Sequence, residues 1–205
     1  MTAEHLEILV EEPSMEAFLR ALLPRLLREV VPFNVYPHQG KRDLLDKLPD
    51  RLKGYATWLP PTWRIVVVVD QDDDGCADLK QRLEQIASAT GLRSRSATGS
   101  TAWQIVNRIA IEELEAWYFG DWQAVRAAYP RVSAAVPRQA RFRDPDAVAG
   151  GTWEAFERVL QNAGYFKSGL RKIEAARDLG AVIDPARNRS PSFRVFRAAI
   201  LEAVA

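Results

Sequence analysis

The chain has 205 residues, enough for one well-filled core or one α/β domain with a helical appendage, and too few for two full enzyme domains. Its hydrophobic fraction of 47% and charged fraction of 27% exclude a disordered or fibrous chain, and a formal net charge of +1 excludes a surface that is basic overall, while leaving room for a local basic groove. The single cysteine, Cys76, cannot form an internal disulfide and has no zinc-ligand spacing around it; with no signal-peptide layout and no apolar run of membrane length, the expectation is a cytoplasmic protein with no membrane partner.

Leu6 to Val10 reads as a short strand that stops at Glu11 and Glu12. Pro13 and Ser14 then open a helix with apolar positions Phe18, Leu19, Leu22, Leu23, Leu26 and Leu27, which Pro24 is expected to kink or divide. Phe33 to Tyr36 is a second strand, His38 to Gly40 a turn, and Leu44, Leu45, Leu48 and Leu52 mark a helix up to Gly54. After Pro60 and Pro61, Arg64 to Val69 is an uninterrupted run rich in β-branched residues, the pattern of a strand buried on both faces of a parallel sheet. Asp70, Gln71, Asp72, Asp73, Asp74 and Gly75 follow, and Leu79, Leu83 and Ile86 mark the next helix. This βαβαβα order implies right-handed crossovers and a mostly parallel, Rossmann-like α/β sheet flanked by helices.

Trp103 to Ile111 supplies one more strand, ending at Glu112, Glu113 and Glu115, with helices from about Glu113 through Phe119 and from Trp122 to Tyr129. The α/β core is therefore placed at residues 1–130. Arg138, Arg141, Arg143, Asp144, Pro145 and Asp146 sit in a loop-like stretch, and beyond Thr152 the patterns are helical: Trp153, Phe156, Val159 and Leu160, then Ile173 with Ala176, then Phe193, Phe196, Ala199 and Ile200. Residues 131–205 read as a mainly helical extension packed on the core. The six tryptophans have apolar neighbours, which favours core packing over base stacking.

In an open parallel sheet, functional groups gather past the carboxyl ends of the strands. Three acidic sets fall at such ends: Glu11 with Glu12, Asp70 with Asp72, and Glu112, Glu113 and Glu115. Converging carboxylates raise each other's pKa unless a cation sits among them, and an oxygen-only donor set without clustered histidine or cysteine points to Mg²⁺, with Mn²⁺ as a substitute. An aspartate directly abutting a buried strand is costly unless it has a task, which singles out Asp70.

Val10-Glu11-Glu12-Pro13-Ser14 with Glu16, followed by Val69-Asp70-Gln71-Asp72, resembles the glutamate and Asp-x-Asp motifs of Toprim domains, including those of overcoming-lysogeny-defect type nucleases. The wider pattern of Ile111 to Trp117, Gly150 to Glu154 and Arg171 to Glu174 resembles the bacterial family called domain of unknown function 4276. The Toprim resemblance implies a Mg²⁺-dependent nuclease acting on DNA or RNA, possessing Glu11, Asp70, Asp72 and Lys172 as its catalytic set. Glu11 and Asp70 would hold one ion; Glu16, Asp72 and one of Glu112, Glu113 or Glu115 would serve a second about 4 Å away. It also implies a lysine from the C-terminal part, Lys167 or Lys172, and a separate ATPase partner in a defence or repair system, because no Walker-type glycine-rich loop occurs here. His38, Lys41, Lys167, Arg171 and Arg189 are the candidate substrate-binding residues, with Arg187, Arg194 and Arg197 as further cations near the last of these. Toprim glutamates are usually followed by glycine, where this chain has Glu12; that departure favours an alternative, a non-catalytic docking subunit. A receiver-like phospho-accepting domain is the third reading, and the extra acids at Asp72 and Glu112 to Glu115 weigh against it.

Overall fold

The structure is a computed structural model, and it describes residues 2–28, 30–99, 102–148 and 150–205. Among the described residues, four strands, β1 (His5–Val10), β2 (Phe33–Pro37), β3 (Trp63–Asp70) and β4 (Ile105–Ala110), form one sheet in the order β2-β1-β3-β4, every pairing parallel. The valine run earns β3 an inner position: Val66 stands opposite Ile8 of β1 and Val106 of β4, and Ile65 to Val69 are fully buried. Side chains alternate between the two faces. Leu6, Ile8, Val10, Val66 and Val68 pack with α1 (Pro13–Leu26), whereas Leu9, Ile65, Val67 and Val69 pack with α2 (Lys41–Trp58) and α3 (Cys76–Ala89). Helices therefore cover both faces, as a parallel sheet requires.

Pro24 neither divides nor ends α1, which runs as one helix to Leu26. It sits in the last turn, where its missing N–H costs a single bond and the buried Phe18, Leu19, Leu22 and Leu23 hold the helix to the sheet. In the same way α2 continues through Pro49 and Gly54 to Trp58, because Leu44, Leu45, Leu48, Leu52 and Tyr55 are all buried. β4 is shorter than the sequence pattern: Trp103 lies outside it, buried, with its indole N–H donated to Glu202 at 3.2 Å. A one-turn helix, α4 (Arg95–Thr98), precedes it and is not evident in the sequence.

After β4 come α5 (Leu114–Gly120) and α6 (Trp122–Ala128), three single 3-10 turns at Val136–Arg138, Ala140–Phe142 and Pro145–Ala147 where the sequence suggests a plain loop, then α7 (Thr152–Asn162), α8 (Lys172–Val182) and α9 (Pro191–Ala203). α8 lies close against α1 at Gly180, where an added Cβ would stand 2.5 Å from the carbonyl oxygen of Phe18. α9 packs against β4 on the same side of the sheet as α1, and its Phe196 stacks on the fully buried Trp117 of α5 at 5.0 Å. One apolar cluster runs from Ala3 through the sheet and α5 to Ala203, so the late helices share the core of the sheet. Two side chains depart from their expected places: Ile173 is 47% exposed, the buried face of α8 being Ala175, Ala176 and Leu179, and Trp58 is 54% exposed rather than in the core. No helix among the described residues is long and apolar enough to cross a membrane.

Candidate functional site

The strand order fixes where a site can form. From β1 the chain moves outward to β2, then crosses back to β3 on the other side of β1, so the crevice between the carboxyl ends of β1 and β3 is the topological switch point of the sheet. Glu11 follows β1 and Asp70 ends β3, and the Glu11 carboxylate accepts the Asp70 backbone N–H at 3.2 Å. The two loops on the β3 and β4 side are tied as well: Asp72 N–H donates to the Glu112 carbonyl at 2.9 Å, and both residues adopt positive φ, 49° and 59°. Those left-handed conformations are uncommon for residues with a side chain and occur here in the two turns that bring acids to the switch point.

Burial then sets the electrostatics. Asp70 is 6% exposed and Glu115, on the first turn of α5, is 2% exposed. One oxygen of each, Asp70 Oδ1 and Glu115 Oε2, is buried without a hydrogen-bond partner among the described residues. Burial, then the neighbouring charges of Glu11 and Glu115, push the Asp70 carboxyl well above the ordinary aspartate range. Glu11 is pushed up to about 7 by burial and by Asp72, and Glu115 to about 7 by burial despite the attraction of Lys172. The Tyr118 hydroxyl, buried beside Glu115 and Asp70, also has no hydrogen-bond partner among the described residues.

Opposing these acids is Lys172, the first residue of α8. Its Nζ lies 4.0 Å from Glu12 Oε1 and 5.2 Å from the centre of the Trp153 ring. Burial works against its charge, but Glu115, Glu12, Glu113 and Asp70 together hold its pKa above the ordinary lysine value. A residue more than a hundred positions from Asp70 is thus delivered to the acids by the packing of α8 on α1.

The remaining candidates separate by what they touch. Lys41 donates to the Gln71 carbonyl at 2.7 Å and pairs with Asp72 at 2.9 Å and Asp74 at 2.7 Å, clamping the loop after β3. Glu16 pairs with Arg20 at 2.8 Å, one turn along α1. Glu12 accepts a short hydrogen bond from Ser14. Glu112 has its pKa raised by burial and by Glu113 and Asp73. Glu113 is committed elsewhere, accepting Thr152 Oγ1 and Trp153 N–H at the start of α7, both at 2.9 Å. His38 is buried, bonded through Nδ1 to the Val10 carbonyl at 2.8 Å, and braces the end of β1. Lys167 is exposed in the turn before α8, Arg171 pairs with Glu174 at 2.9 Å, and Arg189 lines a separate cavity near α6.

Because Glu113 caps α7, Glu113→Ala is expected to destabilise the fold by about 1–2 kcal/mol, the usual cost of losing a helix cap or leaving buried donors unmet. Chemical denaturation reads this out; an unchanged midpoint would return Glu113 to the set of free carboxylates.

Among the described residues, no group of three or more histidine, cysteine, aspartate or glutamate side chains stands as a ready-made metal site. The chemistry of the donors nevertheless suits a hard divalent cation: only oxygen is offered, and two carboxylate oxygens are buried and unspent.

Fold and crevice together define a Rossmann-like α/β protein with an acidic centre at the switch point of an all-parallel sheet. The sequence pattern of the family described as "Domain of unknown function (DUF4276)" matches residues 10–201, and the chain belongs to that family. No curated protein and no solved structure is significantly similar to it.

Proposed function

We propose that this protein is a Mg²⁺-dependent phosphodiesterase of Toprim type that hydrolyses DNA or RNA. The observation that carries the reading is that Glu11, Asp70 and Glu115 lie within electrostatic reach of one another, with Asp70 and Glu115 nearly inaccessible and each keeping a buried oxygen without a hydrogen-bond partner among the described residues. Such an arrangement is unfavourable at neutral pH without a cation.

Glu11, Asp70 and Glu115 would hold the metal, with Asp72 at its rim; Mg²⁺, or Mn²⁺ in its place, would polarise a phosphoryl oxygen and activate a water. The protein's own groups do the rest. Lys172 offers a fixed positive charge to the oxygens of a phosphate at the acids, where burial makes that charge count for more than in water. Trp153 covers one side of the lysine and limits its movement. Lys41 holds the Asp72 loop in its left-handed turn so that Asp72 stays near Glu112. The polymer and a separate ATPase subunit, in a defence or repair setting, belong to this proposal on the strength of the Toprim resemblance.

The test is cleavage of supercoiled DNA, single-stranded DNA and structured RNA with Mg²⁺, Mn²⁺ or chelator. The wild type is expected to cut at least one of them only with metal, and Asp70→Ala and Glu11→Ala are expected to lose at least a hundredfold in rate; equal cleavage by wild type and Asp70→Ala would sink the assignment.

One observation favours the second reading, a docking subunit without catalysis. Glu12, where Toprim domains usually have glycine, lies closest to Lys172 and draws on the charge that a phosphate would need. Calorimetry with Mn²⁺ separates the two: binding that depends on Asp70 supports the metal centre, and no binding supports the docking subunit.

A further inference from the structure

α5 begins at the acidic turn and ends at Gly120, beside a cavity of about 390 Å³. Arg126, Arg138, Arg187 and Arg189 line it, and Asp121 is the only acid among its lining residues. That acid is already saturated. The Asp121 side chain is 1% exposed and accepts from Arg187 Nε at 2.8 Å, Arg187 Nη2 at 2.9 Å, Asp184 N–H at 2.9 Å and Ala124 N–H at 3.3 Å. Its charge is matched by Arg187, and the side chains of Arg126, Arg138 and Arg189 have no hydrogen-bond or ion-pair partner among the described residues.

The wall that carries Arg189 is rigidly built. Asn188 is fully buried, donates Nδ2 to the Trp117 carbonyl at 2.8 Å and accepts the Ser190 N–H at 3.0 Å, while Arg189 N–H donates to the Gly120 carbonyl at 2.9 Å. The approach is so close that a Cβ on Gly120 would stand 2.0 Å from Asn188 Oδ1. Three unspent guanidinium groups around one cavity repel one another, and a multivalent oxyanion relieves that repulsion with charge-assisted, forked hydrogen bonds. The cavity has the size of a small-ligand site. It offers little to a base: Trp122 is 7% exposed, is stacked on Phe119 at 5.6 Å, and spends its indole N–H on the Ser133 carbonyl.

We propose that this cavity binds a phosphate group of a nucleic-acid strand, reading charge and not base, at the far end of α5 from the acidic centre. The polymer as the source of the phosphate rests on the function proposed above; the phosphate chemistry of the cavity does not. The test is fluorescence polarisation of a labelled single-stranded oligonucleotide in chelator, so that neither metal nor cleavage takes part. Arg138→Glu and Arg189→Glu are expected to weaken binding at least tenfold and to flatten its salt dependence, and Arg189→Gln to weaken it less. Arg187 is left intact because it holds Asp121. Calorimetry with inorganic phosphate and a mononucleotide runs alongside. If only these small anions lose binding in the variants, the cavity takes free phosphate and the polymer is overturned; if neither probe responds, the whole proposal falls. Unchanged thermal melting of the variants confirms that the exposed arginines were removed without unfolding the chain.

Discussion

Asp70→Asn is expected to raise the melting temperature of the metal-free protein near pH 8 and to abolish the further rise expected of the wild type if Mg²⁺ binds at the proposed centre. The sign follows from proton binding. Unfolded carboxylates titrate near pH 4, whereas Glu11 and Glu115 are held at about 7 in the fold and Asp70 well above its ordinary value. Between those limits the folded state binds more protons than the unfolded one, so stability is complete at the acid end of the window and is lost as the pH rises through about 7. For a fully buried group such as Glu115 the loss is roughly 3 kcal/mol, which in a chain of this size is a fall in Tm on the order of 5–10 °C. Asparagine keeps the shape of Asp70, removes one of the charges, and can donate to the carboxylates around it. A bound divalent cation acts the opposite way in the wild type, adding about 2.7 kcal/mol at a hundred times its Kd, and only where the acids are ionised. Melting curves from pH 5 to 8 in chelator and in Mg²⁺ check this. A variant that melts below the wild type at pH 8 in chelator, with an undiminished response to Mg²⁺, would show that these acids neither strain the fold nor hold the ion.

Gly180→Ala carries the second large effect. The added methyl would meet the Phe18 carbonyl oxygen at 2.5 Å and the Ala21 Cβ at 2.9 Å, on backbone that also accepts an Arg25 hydrogen bond at 2.5 Å. Overpacking of this kind costs about 1–3 kcal/mol. It also forces α8 away from α1, and Lys172 rides at the head of α8, about 12 Å along the same rigid helix. Stability and metal-dependent cleavage are therefore expected to fall together, the second through displacement of a charge that the substitution never touches. Gly54→Ala is the control, since a Cβ there has no atom within 4 Å and a helical glycine replaced by alanine gains stability. Full activity with an unchanged melting temperature in Gly180→Ala would show that α8 is free to shift.

Much of this was legible in the sequence because it depends on neighbours in the chain. The run Arg64 to Val69 has the pattern of an inner strand, and the acids that follow β1, β3 and β4 fall at the carboxyl edge of the sheet by topology alone. The strand order β2-β1-β3-β4, which makes the crevice between Glu11 and Asp70 the switch point, needed the structure. Pro24 misled for a related reason: local rules count the lost hydrogen bond, while burial of the leucines on the same helix decides the outcome. The roles of Glu113 and Asp121 were hidden because their partners, Thr152 and Trp153 for one and Asp184 and Arg187 for the other, lie 39 or more positions away. Nothing near Glu113 in sequence distinguishes a helix cap from a ligand. Lys172 was visible only through resemblance, since a lysine beginning an amphipathic helix is ordinary until α1 is seen beneath it.

The hydrogen bond from Ala3 N–H to the Ala203 carbonyl, 2.8 Å long, has a consequence for the order in which the molecule is made. At 5–20 residues per second, the stretch between those partners takes about 10–40 s to synthesise. By the later part of that time β1 can pair with β2 and β3 and α8 can bring Lys172 to the acids, while Ala3, just before β1, still has no α9 to meet. The acids and Lys172 are therefore all in the chain before the seam between Ala3 and α9 can close.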